Sequence, residues 1–213
     1  MDTGMLPRRA GIRLRCAFST NDKGDDKPVT FTPTVEYESL RDDKSTFYYY
    51  KKTLFISLIL SFLILAPFVI VEWIKTGAPV FLYYGDYNVQ QIPFYEHCVR
   101  MVHEGNFGWD WLTDLGSNFI GSYSYYLLGS PFFWLMCLFP ASWAPYLMAP
   151  IYMLKFATAA VIAYAYLKRF VKNQDYAVIG ALLYAFSGFQ IYNIFFNQFH
   201  EVVAFFPLLR STV

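Results

Sequence analysis

TLFISLILSFLILAPFVIVEWI, residues 53–74, is an apolar run with a single charge, Glu72, near its far end where the side chain reaches water. At 1.5 Å rise per residue a helix of this length spans roughly 30 Å, the hydrocarbon thickness of a bilayer. A helix satisfies its backbone groups internally, and Pro67 is tolerated because neighbouring groups take up the freed carbonyl. Lys51 and Lys52 precede the run and Arg8, Arg9, Arg13 and Arg15 lie further back, so the positive-inside rule puts the N-terminus in the cytoplasm.

The rest of the chain agrees with a membrane protein: 56% of the 213 residues are hydrophobic and only 15% charged. A large share of those charges lies in residues 1–46, so the remainder is greasier than the average, and a net charge of +1 gives no reason to expect nucleic acid as a partner. Those 46 residues carry Asp, Lys, Thr and Ser clusters with no apolar period and read as a disordered cytoplasmic tail. Their Arg-rich opening also has the composition of a transit peptide, the less favoured reading. FYYYKK (47–52) reads as an aromatic and basic interfacial anchor. Cys16, Cys98 and Cys137 are odd in number and in no metal spacing, so neither a structural disulfide nor a zinc site is expected.

Further along, YLMAPIYMLKFATAAVIAYAYL (146–167) is a second crossing that ends in the basic KRFVK (168–172). YAVIGALLYAFSGFQIYNIF (176–195) is a third, and after a turn near FNQFHE a fourth starts over 201–213. The chain stops inside that last run, so it is expected to be the front part of a longer protein. SYYLLGSPFFWLMCLFP (124–140) is ambiguous: short for a crossing and interrupted by Gly129, Ser130 and Pro131. A full crossing there would put KRFVK outside, whereas a dip into the outer leaflet leaves it inside, as the charge rule favours. Residues 75–145 are therefore read as one large external loop, with a true crossing at 124–140 as the runner-up. The fold class is all-α integral membrane.

In the loop, a helix is expected from about Tyr87 to Glu104, closed by Gly105, with Ile92, Tyr95, Val99 and Val102 on one face. Such a helix lies on the membrane surface. Asp86 immediately precedes it. A carboxylate just outside a bilayer fits chemistry on a lipid-borne substrate; Asp is also a favoured helix cap, and the two roles are compatible. In NFGWDWLTDLGSNFIG (106–121), Asp110 and Asp114 are read as solvated loop charges rather than an acidic pair for an acceptor or cation. Lys155 is the only basic residue within 146–167, and its options are an anionic phosphate or snorkelling to the headgroups. Glu201 either positions a substrate or caps a helix. His97, His103 and His200 read as exposed or interfacial, not as metal ligands. No nucleotide-binding Gly-rich loop, Ser-His-Asp order or zinc motif is present.

GDYNVQQIPF (85–94), with Asp86, Gln90, Pro93 and Phe94, resembles the opening motif of the YfhO family of bacterial membrane proteins. LGSNFIGSYSYYLLGSPF (115–132) is similar to that family's Leu-Gly-x-Asn-Phe and Tyr-Tyr-Leu-x-Ser-Pro-Phe pattern. Lys155, YAFSGF (184–189), Glu201 where the family usually has Asp, and FFPLL (205–209) extend the resemblance over roughly residues 47–209. It stops before residue 47 and at the closing RSTV. The resemblance implies a multi-helix bundle of the GT-C type in a bacterial cell membrane, a glycosyltransferase with its site in the first external loop. Such an enzyme takes a sugar from a polyprenyl-phosphate carrier and gives it to a cell-envelope polymer such as teichoic acid. It implies Asp86 as general base and Gln90, Asn118, Lys155 and Glu201 as substrate contacts, with membrane lipid around them. No cofactor is implied with certainty; a divalent cation stays open, and no metal ligand is assigned. The residues alone also leave Gln90 free to face water. The rival readings are a transport or scaffold protein, which polar residues facing a cavity from several membrane helices would favour, and an inactive truncated product.

Overall fold

The computed structural model describes residues 46–211. The expected tail, with Cys16, lies outside them except for its last residue. The first element is α1, Thr46–Thr76, 31 residues and so roughly 46 Å long. Its two sides differ. Phe55, Ile59, Phe62 and Ile74 stay exposed, Ile74 at 80%, while Thr53, Ser57 and Ser61 are buried. The Thr53 and Ser61 hydroxyls donate back to the carbonyls of Tyr49 and Ser57, each at 2.8 Å. Small hydroxyls satisfied within their own helix let a neighbouring helix approach closely without orphaning a polar group. The apolar side is left for lipid.

That neighbour is α5, Ala144–Leu167, which also packs against α6, Gln174–Ala185, and α8, Asn197–Ser211. Ala159 and Ala160 of α5 meet Ala185 and Ala204 in a fully buried cluster, since side chains this small permit close backbone approach. An ion pair between Lys52 and Asp175 ties the start of α1 to the start of α6. Among the described residues, three segments are long and apolar enough to cross a membrane: Phe47–Thr76, Ala141–Leu167 and Gln174–Phe195.

The third of these is not the continuous helix expected over 176–195. It breaks after Ala185, where Phe186 leaves helical geometry (φ −103°, ψ 28°) and Ser187 is extended. The chain resumes as α7, Gly188–Tyr192, and a 3₁₀ turn, Asn193–Phe195. Gly188 right after the break is a poor helix former, which makes the interruption cheap. The turn expected at FNQFHE falls earlier, at Phe196, so His200 and Glu201 lie within α8 and not at a turn.

Between α1 and α5 the chain is densely folded. A π-helical turn, Tyr87–Gln91, leads into α2, Ile92–His103, which ends at Glu104 before Gly105 in the left-handed region (φ 68°). Next come β1, Trp109–Asp110, paired antiparallel with β2, Ser117–Asn118, then α3, Phe119–Tyr123, and a second π turn, Ser124–Leu128. Last is α4, Pro131–Met136, which starts at Ser130: its hydroxyl accepts from the Phe133 N–H at 3.1 Å, with Pro131 in the first helical position. The longest helix within 124–140 is thus six residues, where a crossing needs about 20. Tyr87, Tyr95, Phe119 and Phe133 share one buried core with Tyr152 and Phe156 of α5. The segment after α1 is therefore packed onto the bundle.

Candidate functional site

Asp86 sits at the tip of a braced turn. Gly85 adopts φ +54°, and the Asn88 side chain closes the loop twice, accepting from the Tyr83 N–H at 3.0 Å and donating to the Tyr83 carbonyl at 3.1 Å. Tyr84 stacks on Phe195 with ring centroids 5.0 Å apart. Within this frame Asp86 is half-buried. Its carboxylate makes no cap bond to the π turn that follows. The capping role is therefore not the one it fills, and its oxygens stay available. Gly85 is the residue that permits the turn: a Cβ there would lie 2.8 Å from Cε2 of Phe195. Gly85→Val is expected to cost about 1–2 kcal/mol for the left-handed backbone alone, plus displacement of Phe195. A thermal midpoint equal to wild type in detergent would refute this.

Behind the turn lies a buried polar cluster. Lys155 is fully buried and pairs with Glu201 Oε1 at 2.6 Å, and it also donates to the carbonyl and side-chain oxygens of Asn197. Ser130 donates to the same Glu201 oxygen at 2.5 Å. Lys155 thus does not snorkel, and an acid on α8 compensates its charge. Glu201 caps no helix; it joins α5, α8 and the start of α4. Both bonds fall on Oε1, and the Glu201 side chain keeps 14% exposure.

In the same core the Tyr87 hydroxyl, Gln91 Oε1 and both amide atoms of Gln190 are buried without a hydrogen-bond partner among the described residues, while the Tyr95 hydroxyl, Asn197 Nδ2 and the His200 ring nitrogens are buried with only loose polar neighbours: Asn197 and Ser130 for Tyr95, and the backbone of Gln190 and Asn193 for His200. The Tyr95 hydroxyl lies beside Asn197, Ser130 and Glu201, and the His200 ring stands edge-on to Tyr152 and Phe156 at 5.3 and 5.2 Å. A buried polar atom left without a partner costs about 1–3 kcal/mol. His200, expected to be exposed or interfacial, is fully buried. The buried glutamine of the motif is Gln91, whose Nε2 reaches Gln198 Oε1 at 3.5 Å. Gln90 is half-buried on a different side of the turn. Asn118 is exposed and caps α3 by accepting from the Gly121 N–H at 2.8 Å.

A second polar cluster anchors the hairpin. Asp110 is buried, not solvated, and accepts from His97 Nε2 at 2.6 Å, the Thr113 hydroxyl at 2.5 Å and the Leu112 N–H at 2.9 Å. Burial pushes its pKa up, but the bonds from Thr113, His97 and Leu112 outweigh that and hold it below the usual carboxylate range. The folded group therefore binds its proton at lower pH than the unfolded one. Its contribution is complete above about pH 4 and is lost as pH falls through the lowered folded value. Tryptophan emission from Trp109 and Trp111 should hold steady down to about pH 4 and shift below it. Asp110→Asn should lack that acid step; an identical titration in the variant would show that Asp110 is not the anchor. His103 is likewise engaged, its Nε2 at 2.7 Å from the Cys137 carbonyl oxygen.

Cys98 and Cys137 are free thiols. Among the described residues no three His, Cys, Asp or Glu side chains group as metal ligands. Sequence reasoning singled out Lys155 and Glu201 but not their bond, and it passed over Asn88, Gln91, Ser130 and Asn197. Only Ser130, in Ser-Pro-Phe, carries a local signal, that of a helix N-cap.

The motifs around Asp86, Ser130, Lys155 and Glu201 form one packed unit, and comparison with known proteins covers that whole unit. No curated protein and no solved structure matches the chain. The sequence model described as bacterial membrane protein YfhO matches residues 57–212, and with most of its length inside that match the chain belongs to the YfhO family of bacterial membrane proteins.

Proposed function

We propose that this protein is a glycosyltransferase of the GT-C type, moving a sugar from a polyprenyl-phosphate carrier to a cell-envelope acceptor such as teichoic acid on the outer side of the membrane. The observation that carries the reading is Asp86: a half-exposed carboxylate, bound to no cap, on a braced turn beside a buried polar cluster. In the reaction Asp86 takes the proton of an acceptor hydroxyl as its oxygen attacks the anomeric carbon. The bond from that carbon to the phosphate oxygen breaks, the configuration inverts, and polyprenyl phosphate leaves. Gln90, beside Asp86 on the same turn, contacts the acceptor or the sugar. Asn118 shapes the loop through its cap and is not assigned a substrate. Lys155 reaches the leaving phosphate only by exchanging Glu201 for it, so in this conformation its role is to hold Glu201 and Asn197 in place.

A second reading, transport, draws on Gln91, Lys155, Gln190, Asn197, His200 and Glu201, which bring polar groups from several helices to one buried region. One assay separates the two. Membranes from the source bacterium, with and without the gene, receive tritiated polyprenyl-phosphate hexose and extracted envelope polymer. Label entering the polymer only when the gene is present supports the transferase. No gene-dependent transfer, with donor and acceptor both supplied, overturns it in favour of transport.

A further inference from the structure

The buried polar atoms that are unpartnered or only loosely partnered have a common chemistry. They belong to Tyr87, Gln91, Tyr95, Gln190, Asn197 and His200, all neutral and all able to bond hydroxyl groups. They converge from the π turn at Tyr87–Gln91, from α2, from α7 and from the first turn of α8. Aromatic rings flank them: Tyr87 is 6.0 Å from Tyr152 and 5.3 Å from Phe81, centroid to centroid. At one edge Glu201 presents Oε2, the oxygen that neither Lys155 nor Ser130 occupies. An anion site would need uncompensated positive charge, and Lys155 is already paired. A cation site would need several acids, and only Glu201 is present. A set of neutral donors and acceptors between aromatic faces matches a sugar ring, whose hydroxyls both donate and accept.

We propose that Tyr87, Gln91, Tyr95, Asn197 and His200 form the subsite that reads the hydroxyls of the transferred sugar, with Glu201 Oε2 accepting from one of them. This rests on the glycosyltransferase reading and names the substrate contacts within it. The segments bordering the subsite are the irregular ones, the π turn and the break at Phe186–Ser187, so admitting a sugar calls for movement there and not in α1 or α5. π-helical turns are frequent at functional sites.

The subsite predicts opposite signs for stability and binding. Tyr87→Phe removes a hydroxyl that has no partner among the described residues, so it does not lower the thermal midpoint. A variant that merely lost packing would destabilise. Binding is measured in the Asp86→Asn background, where turnover is off, on nanodisc-embedded protein with short-chain polyprenyl-phosphate hexose and with polyprenyl phosphate alone. The sugar-bearing lipid should bind at least about tenfold tighter than the bare one. Tyr95→Phe and Gln91→Leu should each cut that preference about tenfold while leaving bare-lipid affinity unchanged. A preference intact in both variants overturns the subsite and leaves the transferase reading standing. Equal binding of the two lipids to the unsubstituted subsite overturns the inference, and the gene-dependent transfer assay then decides the parent reading independently.

Discussion

On the proposed glycosyltransferase reading, Asp86→Asn is expected to lower sugar transfer by a factor of about 10²–10⁴, the usual worth of a positioned general base. The substitution keeps size and polarity and removes only the basicity. Two features make it clean. The carboxylate has no cap bond to lose, and the turn is held by Gly85, Asn88 and the Tyr84–Phe195 stack and not by Asp86 itself. Folding and membrane insertion should therefore match wild type, and the loss should fall on turnover, with donor affinity retained. Initial rates with tritiated donor at matched expression provide the check. Transfer within threefold of wild type would remove Asp86 from the mechanism.

Lys155→Met has the largest expected effect on stability, about 3–5 kcal/mol, because it leaves the Glu201 carboxylate in a mostly buried position without its cation. Ser130 alone cannot replace that charge. Removing both members is milder: burying a charge pair is itself costly, so Lys155→Met combined with Glu201→Leu should recover most of the loss. The double-mutant cycle isolates this coupling from the packing change. Denaturation of the purified protein in detergent, followed by tryptophan fluorescence, gives all four values. Strictly additive single effects would mean that the pair does not stabilise the fold.

These two residues also mark what sequence reading can see and where it stops. Asp86 stood out because its setting is local: a glycine, an acid and an amphipathic helix in one continuous motif. The helix following it was legible too, since Tyr95 and Val99 repeat at helical spacing and are indeed buried. Its π-helical first turn was not, because hydrophobic spacing does not separate a wide turn from an α turn over five residues. Lys155 stood out as a lone charge in an apolar helix, but its partner lies 46 positions away in the chain. The reading of FNQFHE as a turn hid that partner, since it moved Glu201 to a helix end. Asp110 was taken for a solvated charge because Trp, Gly and Asp in a short loop look exposed; His97 reaches it only once the hairpin folds back on α2, and Leu112 and Thr113 once the loop turns after Asp110.

By itself, then, the sequence determined that this is an all-α membrane protein, where its long apolar segments lie, and which acid heads the motif. Those properties are sums over consecutive residues, since crossing a bilayer depends on the apolarity and length of one uninterrupted stretch. The tertiary structure alone decided that Lys155 answers to Glu201, that Gln91 and not Gln90 turns inward, and that His200 is buried. Those outcomes depend on which side chains α2, α5, α7 and α8 bring within a few ångströms of one another. A buried polar group is governed by the partner it meets in space, and no local pattern records that meeting.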